Sequence, residues 1–435
     1  MSMILRGLPI CLVFALVIIG HAERAEAQTP VSVANSAAKY VDQSNGMTAD
    51  EAVKSAIENN EQFLALLKEA ESAERLIEQA EQRARMSVSA NGLQQAIGKS
   101  HRYSIQTSIP LELGGRRNAR VLVATQKAKI KRKRVEQGES EIATAVRRKF
   151  GETLALILRL ELTEEMLNVT QNSYRLVQAR VVEGKTAPLE ENMLLVEVNR
   201  LRSARETDES KVQIALLELK NLIGLSVNTP LRLKGDLKDS LTNFPLLAEL
   251  TERALQTRPD LELLRATVDL ADAKTDKAKK DGKFDASATI GYQRLRISPA
   301  VQFNYVVFGM KIMLPHANKS RDAIEASVLE SQAAEKRRDF AELSVRKEVA
   351  NALIRYTSAV RAKEITRVGV VGQAENNLDV VRKTYEMGSR SLLDYIAEQR
   401  RYIDYKNGLI KAELAVYLAR IEVYRATFAP ELITK

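Results

Sequence analysis

Apolar positions along this chain follow two different periods. Within residues 115–182 they recur at spacings of three and four, as in Leu154, Ile157, Leu158 and Leu162. That pattern gives a helix one apolar stripe to lay on a neighbour. Residues 115–182 and 318–387 both fall in proline-free stretches rich in helix formers, and an internal proline would cost a helix about 3 kcal/mol. These tracts of 68 and 70 residues predict two helices of about 100 Å each. Gly138, Gly151, Gly369 and Gly372 lie inside them and predict bends. Shorter helices are expected at 48–83, opened by the capping-box pattern Thr48-Ala49-Asp50-Glu51. Two more are expected at 188–223 and 259–281, each with proline in its first turn. Residues 225–258, with Pro230, Gly235 and Pro245, read as a connector with short elements.

The second period is two. Tyr103, Ile105, Thr107, Ile109 and Leu111 alternate with polar residues, as do Phe284, Ala286, Ala288, Ile290 and Tyr292. Val301, Phe303, Tyr305 and Val307 continue the theme. Period two with one apolar face predicts strands, paired within 86–113 and within 284–314. A membrane β-barrel and a half-buried soluble sheet both fit that alternation. The first strand, 86–93, is short against the 9–11 residues or so that a tilted membrane strand needs. Tyr103, Phe284, Tyr292, Phe303, Tyr305 and Phe308 are the candidates for an aromatic girdle.

Each half of the chain reads short helix, strand pair, long helix, turn, shorter helix. Pro110 and Arg116 parallel Pro315 and Arg321, and Gly184 and Glu190 parallel Gly388 and Asp394. Residues 47–224 and 259–428 are thus two structural repeats around the connector, with a C-terminal tail at 429–435. The helices at 188–223 and 259–281, end to end around the connector, would match one long helix in length. Four strands per chain cannot close a barrel, and an open edge is not tolerated in lipid. Three chains would supply twelve strands, which predicts a homotrimer.

Composition narrows the class. Arg6, an apolar run over 8–19 and the A-x-A site Ala25-Glu26-Ala27 have the layout of a secretory signal peptide over residues 1–27, followed by a flexible segment at 28–46. The sole cysteine, Cys11, would leave with it, or would anchor lipid if the signal were a lipoprotein one. No later run is long and apolar enough for a membrane helix. The net charge of +10 is mixed along the chain. Even the densest basic run, Lys127 to Arg134, predicts a solvated helix face, or one touching lipid headgroups, rather than a nucleic-acid patch. His101 and His316 lack the neighbours of a metal site, and no catalytic constellation or cofactor fingerprint is present.

Several segments, in order and at matching spacing, resemble the TolC family of outer-membrane efflux proteins. They are Met47-Thr48-Ala49-Asp50-Glu51-Ala52-Val53, Ser108-Ile109-Pro110-Leu111-Glu112-Leu113-Gly114-Gly115-Arg116-Arg117, Arg258-Pro259-Asp260-Leu261, and Tyr385-Glu386-Met387-Gly388-Ser389-Arg390-Ser391-Leu392-Leu393-Asp394. The segment from Leu314 to Ser320 is more similar to the heavy-metal efflux branch. The resemblance implies a mainly α fold with a small β part, a trimeric helical tunnel below a twelve-stranded outer-membrane barrel. It also implies a periplasmic extension, a periplasmic adaptor and an inner-membrane pump as partners, and no bond chemistry. Glu190 and Asp394 match acidic positions at the periplasmic end of the tunnel, Tyr385 and Arg390 match positions whose contacts hold that end closed, and Gly184 and Gly388 are the turn hinges. Ser391 with Asp394 is also a capping box, and Glu190 sits in a first turn where a helix dipole favours an anion; gating and capping are compatible. The competing class is a periplasmic coiled-coil scaffold or adaptor without a pore.

Overall fold

The computed structural model describes residues 36–237, 242–314 and 317–433, without the side chains of 317–320. The signal peptide, Cys11, residues 28–35 and the Pro315-His316 junction lie outside the described residues.

Nine helices are present among the described residues: α1 Ala49–Asn59, α2 Glu61–Glu81, α3 Arg116–Val182, α4 Pro188–Leu222, α5 Leu247–Thr257, α6 Pro259–Asp281, α7 Ala317–Glu364, α8 Gly372–Glu386 and α9 Leu392–Thr427. Strands β1 Ser87–Gln94 and β2 His101–Pro110 separate α2 from α3, and β3 Asp285–Ser298 and β4 Val301–Met313 separate α6 from α7. α3, with 67 residues and about 100 Å long, is the spine on which α2, α4, α6 and α9 pack.

The helix expected over 48–83 is two helices. Asn60 takes an extended conformation and its Oδ1 accepts from Gln62 N (3.0 Å) and Phe63 N (3.1 Å), capping α2. Its Nδ2 donates to Leu222 O (2.9 Å) at the end of α4, and Ser55 Oγ donates to Ile223 O (3.1 Å). α2 and α4 therefore abut end to end along α3, because the junction of α1 and α2 supplies donors for the orphan carbonyls of α4. In the second half, Arg258 at the start of α6 donates to Ala426 O in the last turn of α9 (3.4 Å). This corrects the expected pairing: α4 continues α2, and α6 continues α9, rather than α4 meeting α6.

The expected bends also resolve differently. α3 runs without interruption through Gly138 and Gly151, whose missing side chains make room for neighbours. A Cβ on Gly138 would lie 2.7 Å from Leu66 Cδ1, and one on Gly151 2.3 Å from the Tyr417 ring. Gly151→Ala is therefore expected to cost about 1–3 kcal/mol by overpacking. A thermal melt unchanged from wild type would show that α9 yields freely there. At Gly369 the backbone does depart from α geometry: Ile365–Val371 forms π turns between α7 and α8.

The equatorial core gathers Phe150, Leu154, Ile157 and Leu160 of α3 with Val53, Leu219, Leu233, Ile421 and Leu432. Residues 36–46, expected as flexible, are held against it. Glu164, buried in α3, accepts from Ser36 N and Ala37 N (3.3 Å each) and from Arg205 Nε (3.1 Å). The C-terminal tail is docked too, with Arg147 Nε donating to Leu432 O (2.9 Å). Three residues of the basic run make ion pairs between helices, Lys131 with Glu69 (2.7 Å) and Arg132 with Glu74 (2.6 Å) of α2, and Lys129 with Asp269 (2.8 Å) of α6, while Lys133 and Arg134 pair with Glu136 and Glu141 within α3.

The strands form one antiparallel sheet in the order β1-β2-β3-β4. Cross-strand rows share a face. Val88, Thr107, Ile290 and Phe308 form one row, and Ala90, Ile105, Tyr292 and Val306 the next on the same face. The opposite face carries Ser87, Ser108, Thr289 and Gly309, then Ser89, Gln106, Gly291 and Val307. One series is thereby corrected. On β4 the apolar face is Val306, Phe308, Met310 and Ile312, so Phe303 and Tyr305 lie on the polar face beside Leu295 and Gln293. Phe284 precedes β3. Tyr103, Tyr292 and Phe308 are the aromatics of the apolar face. β4 is apolar at odd and even positions alike, so period alone could not choose its face.

Candidate functional site

At the end of the helices far from the sheet, two hairpins turn: α3 into α4, and α8 into α9. Both turns are built alike. Gly184 (φ 71°) and Gly388 (φ 75°) take the left-handed conformation that ends a helix without Cβ strain. The following N–H groups reach back, Lys185 N to Arg180 O (2.8 Å) and Ser389 N to Thr384 O (2.9 Å). Pro188 then opens α4, while Ser391 and Asp394 open α9 with a reciprocal capping box.

The hairpins are joined by a small core of Val177, Leu194, Leu392, Tyr395 and Ile396. Tyr385 lies at its edge. Its ring stacks on Tyr395 at 5.7 Å and 3°, and its hydroxyl donates to Glu190 Oε2 across the two hairpins (3.2 Å). Burial, and then the Glu190 carboxylate, push that hydroxyl up to about 12. Tyr385 is therefore a neutral donor at every physiological pH.

Seven residues beyond Glu190, Glu197 is fully buried between the hairpins. One carboxylate oxygen accepts from Arg200 of its own helix (Nη2, 2.6 Å), and the other from Arg400 of α9 (Nη2, 2.6 Å). Burial pushes Glu197 up, but Arg200 and Arg400 outweigh it and hold the group below the usual carboxylate range. Nearby, buried Gln399 donates to Thr170 Oγ1 (2.8 Å). These contacts tie the α3–α4 hairpin to the α8–α9 hairpin within one chain.

The match to the outer membrane efflux protein family spans residues 52–225 and 250–427. The chain belongs to that family.

This efflux protein is 23% identical over 355 residues to the cobalt-zinc-cadmium resistance protein CzcC of Cupriavidus metallidurans, covering 81% of this chain and 83% of CzcC. Its fold matches the crystal structure of CusC with a TM-score of 0.75 at 18% identity, covering 87% of this chain and 91% of that one. It matches the MtrE outer membrane channel of Neisseria gonorrhoeae with a TM-score of 0.72 at 17% identity, covering 87% and 88%. Family membership places the efflux protein at the outer membrane and makes it a channel rather than an enzyme. Among the described residues no helix is long and apolar enough to cross a membrane, and no cluster of side chains is set to hold a metal ion.

Of the residues singled out in the sequence, the fold of the efflux protein brings Glu190 and Tyr385 together and sets Gly184 and Gly388 at equivalent turns. Asp394 is spent on its own helix, accepting from Ser391 Oγ (2.8 Å). Arg390 is exposed and, among the described residues, makes no ion pair. Glu197 and Arg400 escaped sequence reasoning. The available signal was a charge inside the apolar stripe of Leu194, Val198 and Leu201, where an unpaired carboxylate would be costly.

Proposed function

We propose that three copies of this chain form the exit duct of a tripartite efflux system. The duct passively conducts substrate received from an inner-membrane pump through a periplasmic adaptor, and metal cations are its cargo class. The observation that carries this reading is the two-faced sheet, whose outer strands β1 and β4 pair with no further strand among the described residues. Three such sheets close into twelve strands with an apolar exterior and a polar bore. The helical part supports it. Leu329, Phe340, Leu343, Ile354, Ile365 and Val368 are each more than half exposed on one chain, at spacings of eleven and three that form a continuous stripe suited to a neighbouring copy. The scaffold reading would leave both surfaces in water. CzcC, named for resistance to cobalt, zinc and cadmium, supports the cargo class.

In this reading the helical tips form the periplasmic gate. Tyr385–Glu190 and Glu197–Arg400 hold the two hairpins of a chain together, Arg390 and Asp394 face the ring formed by three chains, and Gly184 and Gly388 are the points about which the tips splay. Planar-bilayer conductance of the mature protein tests the whole. Small discrete steps that grow when Arg390 or Asp394 is replaced are expected. Folded protein that gives no steps, wild type or variant, would refute the channel reading.

The gate should respond to acid in one direction. Glu197 has a depressed folded value, so its contribution is complete above its ordinary value of about 4.3 and is lost as pH falls through the lowered one. Conductance should stay flat from about pH 8 to about pH 5 and rise only below about pH 4. A rise centred near neutrality would point to another group.

A further inference from the structure

The sheet changes character at the end away from the helices. No aspartate or glutamate occurs in residues 86–110 or 286–313, and the basic residues there are Lys99, Arg102, Arg294, Arg296 and Lys311. On the apolar face, β3 runs Ala286, Ala288, Ile290, Tyr292, then Arg294 and Arg296. In the same direction β2 runs Ile109, Thr107, Ile105, Tyr103, His101, and β4 runs Ile312, Met310, Phe308, Val306, Asn304, Gln302. The register aligns the transition on all three strands. Tyr103, Arg294 and Asn304 form one row, and His101, Arg296 and Gln302 the next. Arg294 Nη2 donates to Gln302 Oε1 (2.6 Å), and the His101 and Tyr103 rings lie 5.3 Å apart. Among the described residues neither arginine has a carboxylate partner.

The height of this patch is decisive. The ten steps from Ala286 to Arg296 span about 34 Å along the strand, or about 26 Å at a barrel tilt of about 40°. That is the thickness of the apolar band of an outer-membrane barrel, about 25 Å. The guanidinium groups therefore stand at the headgroup level of the outer leaflet, facing outward, with Tyr103 in the row of Arg294 and Tyr292 in the row below, tyrosines of the kind that marks the interface. A planar fork donor suits phosphate, which it grips with two parallel hydrogen bonds.

We propose that Arg294 and Arg296, flanked by His101 and Tyr103, bind the phosphate groups of the phosphorylated glucosamine lipid of the outer leaflet, lipid A. The inference rests on reading the sheet as a barrel with its hairpin ends outward. Arg102 is the built-in control: it lies next to the patch in sequence but shares its row with Leu295 and Phe303, on the opposite face.

The test is native mass spectrometry of the purified protein titrated with bisphosphorylated lipid A, lipid A lacking both phosphates, and phosphatidylglycerol. Bisphosphorylated lipid A should bind at least about tenfold more tightly than either comparator. Arg294→Gln with Arg296→Gln should remove that preference, and Arg102→Gln should keep it. Equal binding of the phosphate-free lipid, preference for phosphatidylglycerol, or equal loss in Arg102→Gln would each overturn the proposal. Bilayer conductance of the same samples separates the two readings. A conducting protein without the preference refutes only the lipid site. A folded protein that never inserts refutes the barrel and, with it, the site.

Discussion

Replacing Arg258 with alanine is expected to cost about 3 kcal/mol or more of stability, the largest loss from any single side chain considered. Arg258 sits where α5, α6, α7 and α9 converge, and only 5% of it is exposed. Its guanidinium grips both oxygens of Asp260 (3.0 and 2.6 Å), donates to Glu348 of α7 (2.8 Å) and reaches Ala426 O of α9 (3.4 Å). Burial opposes the charge, yet Asp260 and Glu348 outweigh burial and raise its affinity for the proton. Asp260 is held below the usual carboxylate range because Arg258 outweighs its burial in turn. Deleting the arginine strands the partly buried Asp260, leaves Glu348 with only the longer contact to Arg425 (3.7 Å), and frees the end of α9. A fall in the apparent melting temperature of about 5 °C or more is expected. Arg258→Lys should recover little of it, because an ammonium cannot reproduce the two-pronged grip. A melt like that of wild type would mean that solvent replaces every contact of Arg258 without loss.

Combining Tyr385→Phe with Arg400→Gln is expected to give the largest functional effect. The first change removes a neutral donor from Glu190 in a partly buried setting, worth about 1.5 kcal/mol. The second removes one of two guanidinium partners of buried Glu197. Arg400 is itself half exposed, so solvent screening limits that contribution to about 0.5 kcal/mol. Together they shift the balance between joined and parted hairpins by about 2 kcal/mol, roughly 30-fold per chain. Open-state occupancy in planar bilayers should rise accordingly, more than the product of the single variants if the two contacts close the same gap. Asp394→Asn is the contrast. Because Asp394 is the third-position partner of the Ser391 capping box, and asparagine keeps an acceptor oxygen there, the change should lower stability by less than about 1 kcal/mol, and it should open the channel only through contacts between chains. If the double variant conducts like wild type, the Tyr385–Glu190 and Glu197–Arg400 contacts do not hold the gate.

Much of this molecule is written locally. Proline-free tracts, the proline at the start of α6 and the Thr48 and Ser391 capping boxes mark helices, because each acts on backbone donors within one turn. Alternation over β2 and β3 marks strands for the same reason. The Gly388 turn and the Arg258-Pro259-Asp260 segment are legible as motifs, since each requires particular residue types at short range.

Contacts between distant segments are a different matter. That α2 continues α4 depends on Asn60 reaching Leu222, 162 positions away, and nothing in either segment names the other. Gly138 and Gly151 read as bends, although they are close approaches to α2 and α9, because a missing side chain looks the same in sequence whatever fills the space. β4 is apolar at odd and even positions alike, so only its register with β3 decided which of its residues join the apolar face. Glu190 and Tyr385 were each visible alone, but their hydrogen bond exists only once both hairpins turn and pack. Buried Glu197 showed only as a charge in an apolar stripe, since one of its two guanidinium partners, Arg400, is supplied by another helix. The sequence by itself determined the elements and their ends, where the forces act over a few residues. The tertiary structure decided which ends abut, which faces meet and which charges are paired, where the forces act between residues that the chain leaves far apart.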